Sequence, residues 1–251
     1  MTPPKRYRLR PSSADRWINC PGSLRLCADL PELPSSNYAE EGSRAHTVFE
    51  EAQRTGALTR DMCESDEQHN ALLIAMDAMA VERRRFVTLE LEVYEAKVVP
   101  LRAWPETAGS ADVVMVGRLA DGRRAVTISD LKYGKNVLVS PGSPQLSLYG
   151  LGAADLVGGQ VDTMRTVVIQ PRLKRTTIPP VRSIDHSRDG MAQFLRKAAN
   201  AAHATTMPDA PLVPGSKWCM WCAAKDVCPA KGANARGTID PDFAALVAGE
   251  I

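Results

Sequence analysis

The sequence predicts a chain of the α/β (α+β) class, a mixed central β-sheet flanked by helices. Three observations carry that expectation. The run Leu89 to Val99 alternates polar and apolar residues with period two, the pattern of a half-buried strand. Two apolar runs, Val113-Val114-Met115-Val116 and Ala125-Val126-Thr127-Ile128, flank Asp121-Gly122, a hairpin turn signal that makes them antiparallel neighbours. Before and after these strands, apolar residues recur at helical spacing.

Taken in order, the chain opens with Lys5, Arg6, Arg8 and Arg10, then Ser12 or Ser13 as the cap of a short helix. Trp17 and Ile18 face inward on that helix and Pro21-Gly22 stops it. A loop rich in Pro and Ser (Leu30 to Ser36) leads to a helix over Asn37 to Thr55, whose buried stripe is Ala45, Val48, Phe49 and Ala52. A helix over 66–86 ends in Glu82-Arg83-Arg84-Arg85, read as a solvated terminus favoured by the helix dipole. After the strands, a helical pattern runs from Pro144 to about Val157, where Gly158-Gly159 ends it. Met164 to Gln170 supplies another strand, followed by a basic, proline-containing loop with Arg172, Lys174, Arg175 and Arg182. A last helix, Ser187 to Ala204, precedes a linker from Pro208 to Pro214.

Composition sets bounds. A chain of 251 residues, 44% hydrophobic, is long enough for one well-formed core. The net charge of +2 excludes a polycation, so a nucleic-acid surface has to be a local patch. No apolar run reaches the length of a membrane span, and no signal-peptide core follows Met1 to Lys5. The expectation is a cytoplasmic protein with no membrane partner.

The chemistry-bearing residues centre on Ile128-Ser129-Asp130-Leu131-Lys132-Tyr133-Gly134. On a strand, Asp130 and Lys132 share a face and Leu131 points into packing. The hairpin brings Asp112, near the start of the preceding strand, toward Asp130. Two carboxylates beside a core are costly unless a cation sits between them, and oxygen ligands suit Mg²⁺ or Mn²⁺. Gln145 and Tyr149 stand four apart on one helical face, next to the strand that carries Lys132. His46 lies beside the buried stripe of its helix, and Glu50, one turn on, is placed to orient the imidazole or to be solvated.

Gly109-x-x-Asp112, Asp130-x-Lys132 and Gln145-x-x-x-Tyr149, preceded by His46, resemble in order and spacing the motifs of RecB-type nucleases in the PD-(D/E)xK superfamily. The resemblance implies a restriction-endonuclease-like core over 37–205 and a DNA exonuclease of phage recombination or processing. It implies Mg²⁺ or Mn²⁺ held by His46, Asp112, Asp130 and the Leu131 carbonyl, with Lys132 acting on the attacking water. Gln145 and Tyr149 would place the DNA strand, and the loop with Arg172, Lys174 and Arg175 would meet its phosphates. No Gly-x-x-x-x-Gly-Lys-Ser/Thr occurs, so unwinding would fall to a separate helicase, and a single-strand annealing protein is the other partner such an enzyme implies. A catalytically inactive DNA-end-binding scaffold and a zinc-stabilised endonuclease are the rival readings.

Cys219, Cys222 and Cys228 have the spacing C-x2-C-x5-C, which in a chain without an export signal argues for metal or cluster ligation rather than disulfides. Zn²⁺ suits four thiolates as well as iron does. With their flanking aromatics and the Cys20-Pro21 pair near the N-terminus, they resemble the iron–sulfur domain of AddB-type and CRISPR-associated RecB-like exonucleases. That resemblance makes Cys20 the fourth ligand of a [4Fe–4S] cluster joining 12–30 to 206–232, and leaves Cys27 and Cys63 to packing and 233–251 as a tail.

Overall fold

A computed structural model describes residues 9–31, 37–158, 160–174 and 177–234. Lys5, Arg6, Arg8, Arg175 and the tail from 235 onward lie outside the described residues. The helices are α1 (Ala14–Asn19), α2 (Ser23–Leu26), α3 (Asn37–Thr55), α4 (Asp66–Arg83), α5 (Pro144–Leu156), α6 (Arg188–Ala204), α7 (Ser216–Cys219) and α8 (Pro229–Asn234). The strands are β1 (Phe86–Val98), β2 (Gly109–Leu119), β3 (Arg124–Leu131), β4 (Thr163–Ile169) and β5 (Val181–Ser187). Two compact units form among the described residues: 9–14 with 37–199, and 15–31 with 200–234.

The larger unit is built on one five-stranded sheet in the order β1-β2-β3-β4-β5. β2 pairs antiparallel with β1 and β3, β5 pairs antiparallel with β4, and β3 and β4 are parallel, which requires the crossover that α5 provides. This is a mixed sheet with flanking helices, an α+β arrangement. Phe49, Leu72, Ala75 and Met79 of α3 and α4 form one core with Val113, Met115, Leu131, Val167 and Ile169. Tyr149 and Ala153 of α5 and Met191 of α6 form a second with Val114, Val116, Val126, Ile128 and Met164. Alternate strand residues therefore feed two cores. That is why β2 to β4 read as continuous apolar runs rather than as alternation.

Local signals set the helix ends. Ser65 caps α4 by accepting the Gln68 N–H at 3.1 Å, and Ser143 caps α5, whose first residue is Pro144. Gly158, at φ 80°, closes α5 with its N–H on the Asp155 carbonyl at 3.1 Å. Arg83 and Arg85 at the end of α4 are not simply solvated. Arg83 binds Glu92 of β1 (Nη2–Oε1 2.6 Å), and Arg85 and Arg165 share the buried Glu82 at 3.0 and 3.2 Å. They stitch α4 to the sheet, where charge at a helix terminus alone would leave them in water.

The sequence predicts a basic loop around Arg182, where the structure has β5. It has only Val181 and Ile184 as apolar residues and lies at the sheet edge, so its strand character comes from the ladder with β4 and not from its own pattern. His186 on β5 shares a 2.9 Å hydrogen bond with the fully buried Thr166 of β4. Burial holds its pKa below the usual imidazole value, partly opposed by Asp185.

In the smaller unit, Trp17 and Ile18 are buried as expected. The proline-rich segment before α7 does not behave as a free linker. The Gly22 N–H donates to the Pro211 carbonyl at 2.9 Å, and a Cβ at Gly22 would stand 2.9 Å from that same oxygen. Trp218 donates its indole N–H to the Val213 carbonyl at 2.7 Å, and Lys217 pairs with Asp15 at 2.6 Å.

Two outcomes are expected. A Cβ at Gly152 of α5 would lie 2.7 Å from the Cβ of Val98, a stiff β-branched neighbour. Gly152→Ala should therefore lower stability by about 1–3 kcal/mol in denaturant melts, overriding the gain of about 1 kcal/mol that alanine brings to a helix. A depressed folded-state pKa at His186 contributes stability present above the unfolded value of about 6.5 and lost as pH falls through the folded value. Between those two pKa values the melting temperature of the native chain should fall with pH more steeply than that of His186→Gln; equal slopes would refute the assignment.

Candidate functional site

The site lies where β2 and β3 leave the ladder. Val113 of β2 pairs with Ser129 of β3, so one step further Asp112 and Asp130 stand abreast. The Leu131 N–H donates to Asp112 Oδ2 at 2.8 Å, which fixes that carboxylate against the end of β3. The same oxygen meets His46 Nδ1 of α3 at 3.2 Å. Burial would lower the His46 pKa, but the hydrogen bond to Asp112 and the charges of Asp112 and Asp130 outweigh it and hold the imidazole above its usual value.

Asp130 is 3% exposed, and its Oδ2 lies 2.7 Å from Lys132 Nζ. That short ion pair makes the ammonium the partner of a carboxylate oxygen otherwise sealed from donors. Burial pushes the Asp130 pKa up, Lys132 pulls against it, Asp112 adds to the rise, and the net shift is upward. For Lys132 burial works downward, but the negative charge of Asp130 prevails and the ammonium is held above its ordinary range.

A polar chain extends from Lys132 onto α5. Lys132 Nζ donates to Gln145 Oε1 at 3.2 Å, and Gln145 Nε2 donates to the Tyr149 hydroxyl at 3.3 Å. Tyr149 is itself buried, and its pKa is raised by that burial. A Cβ at Gly109 would stand 2.9 Å from the Tyr149 ring and 3.0 Å from Pro11, so the glycine of Gly109-x-x-Asp112 is there to let the ring approach. His46, Asp112, Asp130, Lys132, Gln145 and Tyr149, six residues singled out by motif, thus form one connected constellation.

Other expectations are corrected. Arg172, expected to face phosphates, has a side chain only 5% exposed; it stacks 4.1 Å above the Tyr133 ring and pairs with Glu41 at 2.8 Å and Glu67 at 3.1 Å. A guanidinium so engaged is a structural tie, whereas the neighbouring Lys174 is exposed. Glu50 does not orient His46; its carboxylate accepts from Arg54 Nε at 2.9 Å. Arg175 lies outside the described residues.

One residue at the site was missed. Glu95 sits between Tyr94, paired with Val113, and Ala96, paired with Ala111, which places it level with Asp112 on the other neighbouring strand. With His46 and Asp112 it lines a cavity of about 20 Å³, and its φ of 47° is unusual for a non-glycine residue. The signal was present in the sequence: apolar positions run 89, 91, 93 and then shift to 96 and 98, so the alternation slips phase at Glu95.

In the smaller unit Cys20, Cys219, Cys222 and Cys228 line one pocket together with Arg16, Lys225 and Lys231. Cys20 Sγ accepts the Val213 N–H at 3.2 Å and Cys219 Sγ accepts the Gly215 N–H at 3.3 Å. Burial raises the Cys20 pKa against the lowering effect of the Val213 N–H. Cys63 is packed in the core of the larger unit, as expected. Cys27, also assigned to packing, lies instead with its Sγ 3.6 Å from that of Cys222. The contact lowers the pKa of Cys27 to about 6 and raises that of Cys222. Among the described residues, no three His, Cys, Asp or Glu side chains converge closely enough to hold an ion as they stand.

Fold and site together define an α+β chain with a buried carboxylate–lysine centre at the end of a β-hairpin. The chain belongs to the family described as "Protein of unknown function (DUF2800)", whose profile matches residues 7–248. A solved structure titled "Crystal structure of SSO0001" is 14% identical, at a TM-score of 0.32, with 90% of this chain and 87% of that chain covered.

A double-mutant cycle tests the centre. Asp130→Asn leaves a mostly buried ammonium without its counter-charge and should cost about 3 kcal/mol in denaturant melts, while Asp130→Asn with Lys132→Met should recover most of the loss. Additive losses would show that the two side chains are not coupled.

Proposed function

We propose that the chain is a metal-dependent deoxyribonuclease of the RecB-type PD-(D/E)xK class. It would hydrolyse phosphodiester bonds with Mg²⁺ or Mn²⁺, as an exonuclease in DNA recombination or processing. The observation that carries this reading is the placement of Asp112 and Asp130 abreast at the hairpin end with Lys132 against them. Two carboxylates brought together at a buried strand end, with one ammonium beside them, are a group to which a hard cation is a natural addition.

Asp112, Asp130 and His46 would hold the ion, after small adjustments that bring their donor atoms together. When bound, such an ion acidifies a coordinated water and neutralises charge on the phosphorane. Lys132 orients the attacking water, and its ammonium stabilises the negative charge that grows on the phosphoryl oxygens. Gln145 keeps Lys132 in place, and Tyr149 anchors Gln145 in turn. The Leu131 N–H, by holding Asp112, keeps one carboxylate oxygen from turning away.

In the same reading Cys20, Cys219, Cys222 and Cys228 would hold a [4Fe–4S] cluster, with Zn²⁺ as the alternative. Their common pocket, two N–H donors to sulfur and three nearby cationic side chains suit an assembly of several thiolates. A brown protein with visible absorption supports iron, and a colourless protein containing zinc supports the alternative.

One observation favours a second reading, a DNA-end-binding scaffold without activity: Lys132 is already occupied by Asp130 and Gln145. The test is end-labelled single- and double-stranded DNA incubated with Mg²⁺ or Mn²⁺. Wild type should degrade it, chelation should stop degradation, and Lys132→Ala, checked for folding by melting, should be slower by about 10²–10⁴-fold. Binding of DNA ends with no metal-dependent cleavage by wild type would leave the scaffold reading.

A further inference from the structure

Five of the six cysteines lie in the smaller unit, and the cluster reading uses four of them. The fifth, Cys27, does not line the pocket formed by the other four, yet its Sγ stands 3.6 Å from Cys222 Sγ across 195 residues of sequence. Its position is fixed by its backbone: Cys27 caps α2 with its N–H on the Ser23 carbonyl at 3.0 Å. Cys222 is likewise fixed, with its N–H on the Cys219 carbonyl at 3.2 Å. Cys222 therefore faces two possible partners, the pocket on one side and Cys27 on the other.

We infer that Cys27 and Cys222 are a redox pair that closes to a disulfide when the cysteine pocket holds no metal. A disulfide needs its sulfurs about 2.05 Å apart, so closing the 3.6 Å contact requires the two side chains to turn toward each other. Peroxide is the class of oxidant required. The Cys27 thiolate attacks a peroxide oxygen, breaking the O–O bond to give a sulfenic acid and hydroxide, which takes the thiol's proton and leaves as water. The Cys222 sulfur then attacks the sulfenic sulfur, expelling its oxygen as a second water. Two thiols lose two hydrogens and one peroxide becomes two waters. Arg16, whose buried Nε has no hydrogen-bond partner and whose Nη1 donates to the Trp221 carbonyl at 3.3 Å, puts positive charge beside Cys222 and favours the thiolates this chemistry uses. With a metal in the pocket the Cys222 sulfur is engaged and the pair cannot close. Without one, the bridge would tie the segment around Cys27 to that around Cys222 and spare both sulfurs from irreversible oxidation.

Trypsin separates the relevant cysteines. Cys27 falls alone in peptide 26–44, Cys20 in 17–25, Cys228 in 226–231, and Cys219 with Cys222 in 218–225. The full-length protein, as purified and after chelation, is treated with hydrogen peroxide, alkylated, digested without reduction and analysed by mass spectrometry. The expected product in the chelated sample is 26–44 joined to 218–225, two hydrogens lighter than the sum, with fragment ions placing the bond at Cys222. The metal-loaded sample should give far less of it, and Cys27→Ser none, while Cys27→Ser retains the metal content of wild type. Recovery of alkylated Cys27 from the chelated sample, or a bridge from Cys20 or Cys228 in its place, overturns the pairing. Loss of metal from Cys27→Ser also overturns it, by making Cys27 a ligand. A wild-type protein that carries no metal as purified, and forms the bridge without chelation, would sink the cluster reading and leave the redox pair standing.

Discussion

A carboxylate sealed at the end of a β-strand is the constraint around which the larger unit is arranged. Asp130 has almost no contact with water, and an isolated charge in that position would cost several kcal/mol. The Lys132 ammonium, two residues on and on the same face of the strand, offsets that cost. The offset is geometric as well as electrostatic. Lys132 stays where Asp130 needs it because Gln145 accepts from it, Gln145 is held by Tyr149, and Tyr149 fits because residue 109 has no side chain. Removing Lys132 leaves a buried carboxylate without its counter-charge, and removing Gln145 or Tyr149 loosens the hold on the ammonium, so the motif residues are coupled to one another through packing as well as through any chemistry they perform.

The sheet makes this arrangement affordable by covering β3 on both faces while leaving its carboxyl end open to loops. β3 and β4 run parallel, so residues 132–142 and 170–174 emerge at the same edge. Gln170, 1% exposed, braces that edge: its amide donates to the Val137 carbonyl at 2.6 Å and the Gly134 carbonyl at 3.3 Å, and its oxygen accepts from Arg182 at 2.8 Å. In open sheets of this kind ligands lie outside the carboxyl ends of parallel strands. The loop that Gln170 braces follows directly on the strand end that carries Asp130.

What could be read from the sequence follows from which signals are local. The hairpin turn at Asp121-Gly122 and the apolar runs were enough to set Asp112 beside Asp130, because a tight turn fixes register and register fixes neighbours. The bounds of α3 and the end of α5 at Gly158 were equally legible, from periodicity and caps. Side-chain partnerships across long sequence distances were not. Glu50 and Arg54 satisfy each other within one helix turn, a pairing that competes with any contact from Glu50 to His46. β5 lacked a pattern because an edge strand takes its order from its neighbour. Glu95 was visible only as a slip in alternation, and Cys27 carried no mark to separate it from Cys63, since packing and pairing make the same demands on sequence.

Arg172 shows why a basic run is a poor guide to a phosphate surface. Its guanidinium lies over Tyr133, the residue directly after Lys132, and reaches Glu41 on α3 and Glu67 on α4, where Lys135 also binds at 2.7 Å. α3 is the helix that carries His46, and it has no covalent connection near β3, so its position over Asp112 has to be set by contacts of this kind. Stacking on an aromatic ring with a carboxylate on each side uses the planar geometry of arginine, which a lysine would not reproduce. A cation committed in this way holds the imidazole and the lysine in a common frame, and positive charge for an external anion has to come from exposed side chains such as Lys174. Pairs of this kind add nothing to the net charge of +2, and the centre at Asp112 and Asp130 is held from two sides: by the α5 chain through Gln145, and by the α3 and α4 carboxylates through Arg172.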